Sequence, residues 1–231
     1  MNHIETKYIL CLFRIIWETK NTMELQDELK KALVELRKDK TRKFDQTVDL
    51  ILNLQKFQIK KEQLNIVVGV PHQIKEKKVC GFLEVTNNGI DTIGPESFGK
   101  YTDKKAIKKL VEKYDFFISE AKLMPKVATV FGRALGPSGK MPSPQLGILM
   151  NNDEKSLKEL LIKINSSVKL KAKEASIKLA IGKQSMKDEQ IIENALAIYN
   201  ATEKALTRGK ENIKNVELKF TMTKPIKIKL R

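Results

Sequence analysis

The run from Gly132 to Gln145, GRALGPSGKMPSPQ, holds the residue types of a phosphate-binding turn without the order that chemistry needs. A loop of the form G-x-x-x-x-G-K-[ST] supplies backbone N–H groups that close around phosphates, a lysine for the terminal phosphates and a hydroxyl for the metal ion. Gly139 and Lys140 fit, but Ala134 stands at the first glycine position and Met141 at the hydroxyl position. A nucleotide hydrolase built on Lys140 is therefore weakly supported. What remains reads as a rigid basic turn, in which Pro137, Pro142 and Pro144 fix φ, Gly136 and Gly139 are free to take φ > 0, and Arg133 and Lys140 project.

No other constellation offers catalysis. His3 and His72 are isolated, and Cys11 and Cys80 lack a second thiol or a histidine at metal-ligand spacing. No carboxylate pair, Ser/His/Asp set or Cys/His set is present in the pattern, so the chain reads as a non-enzyme with no metal and no cofactor. His72, following Pro71 at the end of a strand-like run, reads as a surface or boundary residue. Two distant cysteines give no disulfide framework, which fits a reducing, cytoplasmic setting.

Charge points to the partner. The 231 residues carry 44 Lys+Arg against 28 Asp+Glu, a net +16, more than solubility requires. Ser156–Arg231 alone holds 17 basic and 8 acidic residues, +9. Such a field attracts polyanions, so nucleic acid or an anionic membrane surface is the natural partner. The apolar run Tyr8–Trp17 is too short to span a bilayer and Arg14 interrupts it; a membrane-surface protein using this run with the basic field is the competing reading, and the expectation is no membrane partner.

The elements that would carry these residues alternate. Leu25, Leu29, Ala32, Leu33 and Leu36 keep a helical spacing from Met23, and the basic stretch RKDKTRK ends it. Phe44–Leu54 alternates as a half-buried strand, and Leu64–Val70 is a second strand closed by Gly69 and Pro71, which read as a hinge. The middle third has strand signals at Val79–Val85 and Asp115–Glu120 around a helix from Asp103, its candidate cap, to Tyr114: a small parallel α/β layer with no dinucleotide fingerprint. A helix around Leu157–Ile164 follows, then strands at Val168–Lys173 and Ile177–Ile181, with Lys169, Lys171 and Lys173 on one face. Met186–Leu206 reads as a helix opened by Ser185 in a capping box, and Val216–Met222 as the last clear strand. By period alone Phe44 and Met222 belong to strands and read as core.

LMPKVATVFGRALGPSGKMP (Leu123–Pro142), together with RKFDQTVDLILNL, YDFFISEAKLMP, IGKQSMKDEQIIENA and FTMTKPIKI, resembles the L-one family of large-subunit ribosomal proteins, in an archaeal-like form. The resemblance covers nearly everything from Met23. It implies an α/β protein of two domains: residues 23–69 plus 151–231 form a discontinuous, two-layer α+β domain that binds ribosomal RNA, and residues 70–150 an inserted small three-layer α/β domain. Residues 1–22 precede the usual family start and read as an extension or a mis-called start. The family's RNA-contacting patch matches Lys43, Phe44, Thr47, Thr221 and Met222. Lys169, Lys171 and Lys173 join it on charge, and Arg133 and Lys140 form a basic loop in the second domain. The implied partners are large-subunit rRNA in the mobile stalk, deacylated tRNA at the exit site and, for repressor members, the protein's own mRNA. The family carries glycine after the Thr-Met pair, where this chain has Thr223.

Overall fold

The computed structural model describes residues 23–38, 42–57, 64–84, 90–101, 103–144, 146–149, 154–172 and 174–228. The expected extension before Met23, and with it Cys11 and the Tyr8–Trp17 run, lies outside them, as do Lys173, Lys229 and Arg231. The chain divides into two compact units: one takes the chain up to Ile74 and again Lys169–Arg231, the other Lys75–Val168.

In the first unit, β1 (Thr47–Leu54) is central. It pairs antiparallel with β8 (Ser176–Lys183) on one side and β9 (Ile213–Phe220) on the other, and β10 (Ile226–Ile228) extends the sheet beyond β9. A strand from the first segment is thus hydrogen-bonded between two from the last, which makes the discontinuous segments one body. Alternation decides which face is core: Val48, Leu50, Leu52 and Leu54 are buried, whereas Thr47, Asp49, Ile51 and Asn53 are half-buried on the other face. Helix α1 (23–37) buries Leu25, Leu29, Leu33 and Leu36, and α5 (Asp188–Ala205) buries Ile191, Ile192, Ala195 and Ile198 while packing on β8 and β2 (Asn65–Gly69). β2 pairs with β7 (Ser167–Lys171) in a separate two-stranded sheet.

Two polar ties complete this unit. Arg37, at the end of α1, donates through Nε to Asp188 in the first turn of α5 at 2.9 Å and through its guanidinium to the Met186 carbonyl. Asn194, fully buried on α5, accepts the His72 N–H at 3.0 Å and donates to the carbonyls of His72 and Ile181. A buried amide is tolerated only when paired in this way. His72 is the boundary residue its position suggests, its ring on Glu193 at 2.6 Å.

The second unit is a parallel sheet ordered β4 (Asp91–Thr92), β3 (Val79–Phe82), β5 (Phe116–Glu120), β6 (Ile148–Leu149). Cys80, Phe82 and Phe117 face α2 (Lys104–Lys113), α3 (Met124–Ser138) and the 3-10 turn Pro95–Tyr101, while Ile118 and Leu149 face Leu157 and Ile164 of α4 (Glu154–Asn165). The result is three layers. Helix α4 therefore packs inside this unit, although the resemblance assigns residues from 151 onward to the other domain. Lys77 reinforces the placement: its ammonium donates to the carbonyls of Ile164 and Ser167 at the end of α4. Burial pulls that lysine below its ordinary range, against the opposing pull of Asp115.

Some local expectations need correction. Most of Gly132–Gly139 is not a turn but the last half of α3, because Val127, Phe131 and Leu135, four residues apart, bury one stripe of a helix opened by Pro125. Gly139 ends it at φ 70°, as its freedom allowed, but Gly136 is not left-handed. Asp103 makes no side-chain cap on α2. Ser185 does not cap α5 either, since the helix starts from Lys187 and its first turn carries Asp188 and Glu189, whose charges suit the N-terminal dipole.

Candidate nucleic-acid interface

Antiparallel pairing brings three connections to one end of the four-stranded sheet. Thr47 pairs with Lys183 and Val48 with Phe220, so the segment before β1, the turn after β8 and the turn after β9 emerge together. Gln46, 2 % exposed, stitches all three. Its carbonyl accepts the Gln184 N–H at 2.8 Å, its amide nitrogen meets Gln184 Oε1 at 3.4 Å, and its Oε1 accepts the Met222 N–H at 3.3 Å. Asp45 adds a second seam, accepting the Ser185 N–H at 3.1 Å and the Ser185 hydroxyl at 2.9 Å.

Thr221 closes the third side. Its N–H and its hydroxyl both donate to the Thr47 carbonyl, at 3.1 and 3.2 Å, and the hydroxyl oxygen accepts the Thr47 N–H at 3.1 Å. Thr223 folds back on Phe220, its Oγ1 accepting the Phe220 N–H at 2.9 Å and its own N–H donating to the Phe220 carbonyl. The backbone at Thr223 lies outside the left-handed region, so this turn closes without glycine.

On this frame two large apolar side chains stand in solvent: Phe44 is 51 % exposed and Met222 57 %. Strand period alone made them core; the structure overturns that because β1 starts only at Thr47 and β9 ends at Phe220, leaving both residues in the connections. Lys43 is exposed beside Phe44 before β1, Lys183 and Lys187 are exposed at and after the end of β8, and Lys224 is exposed after β9. An aromatic face and a thioether for bases and sugars, with ammonium groups for phosphate around them, is a combination suited to folded or single-stranded RNA.

Of the residues singled out in the sequence, Lys43, Phe44, Thr47, Thr221 and Met222 come together here. Lys169 and Lys171 do not join them. They sit on β7, and Lys171 lies four residues before Ala175, whose carbonyl accepts the Leu54 N–H at the far end of β1, about 23 Å of strand from Thr47. Lys169 is half-buried, and desolvation, then the charge of Lys171, pulls its ammonium below the usual lysine range. The basic loop of the second unit also changes meaning. Arg133 is exposed on α3, but Lys140 does not project: its ammonium donates to the carbonyls of Val111 and Tyr114, at 2.7 and 2.8 Å, closing the end of α2. A lysine so engaged does not present itself to a nucleotide phosphate.

Sequence reasoning missed Asp45, Gln46 and Lys183. The segment IGKQSM was in view, but only the β1–β8 register puts Lys183 opposite Thr47 and Ser185 against Asp45. Among the described residues no group of three His, Cys, Asp or Glu could hold a metal ion, and no helix is long and apolar enough to cross a membrane.

Comparison with known proteins agrees with this architecture. Residues 36–224 match the family described as Ribosomal protein L1p/L10e. A large ribosomal subunit protein uL1 of Pyrobaculum neutrophilum is 36% identical over 205 residues, 84% of this chain and 89% of the relative. The uL1 protein of Nanoarchaeum equitans is 32% identical over 212 residues, 87% of this chain and 98% of the relative. That of Thermococcus kodakarensis is 32% identical over 200 residues, 82% and 90%.

Proposed function

The chain belongs to the Ribosomal protein L1p/L10e family, and from that premise we propose that it is a structural protein of the large ribosomal subunit that holds large-subunit rRNA at the Thr47 end of its four-stranded sheet. The observation that carries this reading is the pair Phe44 and Met222, exposed on segments tied together by the hydrogen bonds of Gln46 and Thr221, with Lys43, Lys183, Lys187 and Lys224 exposed on the same segments. An exposed aromatic ring and thioether on a hydrogen-bonded frame that also carries exposed lysines is the combination a base-and-phosphate ligand would cover. Phe44 stacks on the sugar and base surface, Lys43 and Lys183 meet phosphate, and the Thr47–Thr221 pair holds the backbone against which the RNA lies. The Thr221 hydroxyl already serves Thr47, so it offers RNA its remaining acceptor capacity. In the assembled subunit the protein forms the mobile stalk and assists release of deacylated tRNA from the exit site.

Binding of the stalk-forming rRNA fragment, measured against salt, tests the proposal. With several phosphates neutralised, affinity falls steeply between low and moderate salt. Flat salt dependence, or copurification of a messenger in place of large-subunit rRNA, would count against it.

A further inference from the structure

We infer that Asp45 is a positioning residue for the rRNA contact: an acid within a basic surface, retained to hold Phe44 and not to meet the RNA. The inference rests on the rRNA reading above. A carboxylate beside Lys43, on a chain of net +16 that binds a polyanion, is electrostatically adverse. Its geometry accounts for it. One carboxylate oxygen accepts the Ser185 backbone N–H at 3.1 Å and the other the Ser185 hydroxyl at 2.9 Å, so both oxygens face the turn after β8. These are charge-assisted bonds, stronger than neutral ones. Asp45 is the residue next to Phe44, and Gln46 beyond it is itself bonded to Gln184 and Met222. Among the described residues Asp45 is thus the first tethered side chain after Phe44, and it sets where the half-exposed ring leaves the frame. Without it, residues 42–44 lead into the sheet held only from Gln46 onward, and RNA binding must order them.

Electrostatics and positioning predict opposite signs. Asp45→Ala and Asp45→Asn both delete the charge, and on charge alone both tighten RNA binding equally. On positioning, Asp45→Ala weakens binding about tenfold, the scale of a lost charge-assisted hydrogen bond, while Asp45→Asn, whose amide still pairs with Ser185, stays close to the parent. Ser185→Ala, which deletes only the hydroxyl, lies between. The experiment measures affinity of the stalk rRNA fragment for the full chain and these variants at several salt concentrations, with urea unfolding of each to confirm that all are folded as they bind. The expected result is weakening for Asp45→Ala, rescue by Asn, an unchanged salt slope, and no further loss when Asp45→Ala is added to Phe44→Ala. Equal tightening by Ala and Asn, or losses at Phe44 and Asp45 that multiply, overturns the inference and leaves the rRNA reading standing. A Phe44→Ala protein that binds like the parent overturns the rRNA reading, and this inference with it.

Discussion

In the second unit Phe82, Phe98, Phe117 and Phe131 meet inside one core, Phe82 stacked on Phe117 at 5.6 Å and edge-on to Phe98 at 5.9 Å; in the first unit Phe44 and Met222 stand half in solvent. Lysines divide less cleanly, since Lys105, Lys108 and Lys109 of the second unit are exposed as well. Lys77 and Lys140 of the second unit turn inward onto the carbonyls that end α4 and α2, whereas Lys43 and Lys183 of the first are exposed around the apolar pair. Both units are basic, with 28 basic against 17 acidic residues in the first and 16 against 11 in the second. Charge alone therefore does not separate a binding surface from a self-contained one. The difference lies in whether the aromatic side chains are enclosed within their own unit or left exposed among cations.

Substitutions can break this contrast. Phe131→Ala opens a hole among three other rings and should cost the second unit about 3–5 kcal/mol, read as a lowered urea midpoint. Cys80 reports the same event: burial pushes its thiol up to about 12, so iodoacetamide at pH 8 should modify it only as that unit unfolds. Phe44→Ala should do the reverse, lowering rRNA affinity by about 1–3 kcal/mol with the unfolding midpoint nearly unchanged. If it melts early and binds normally once folded, Phe44 belongs with the structural rings. Lys140→Met should cost about 1–2 kcal/mol of stability and leave rRNA affinity alone; weaker binding there would extend the interface into the second unit. Thr221→Val, smallest, should cost on the order of 1 kcal/mol in stability and binding together, because its hydroxyl bonds Thr47 on both sides.

Much of the framework was legible in the sequence. The α1 stripe and the alternation of Val48, Leu50, Leu52 and Leu54 mark core by period alone, and the structure buries all of them. Phe44 and Met222 misled the same argument because alternation runs past the ends of β1 and β9 into connections where period has no meaning. In α3 the glycines and prolines of Gly132–Gly139 speak for a turn, and the spacing of Val127, Phe131 and Leu135 outweighs them once a sheet is there to bury against. Long-range partners were not legible at all. Nothing local says that Lys140 reaches Val111, or that Asp45 meets Ser185, 140 residues away.

Asn194 has a consequence for local opening. Strand β2 stops at Gly69, yet the His72 amide is bonded to a side chain buried under α5, and that side chain also holds the His72 and Ile181 carbonyls. In amide hydrogen exchange, protection should therefore reach three residues beyond the strand and collapse together at His72 and along α5 in an Asn194→Ala protein, marking one cooperative opening unit where secondary structure alone would draw two.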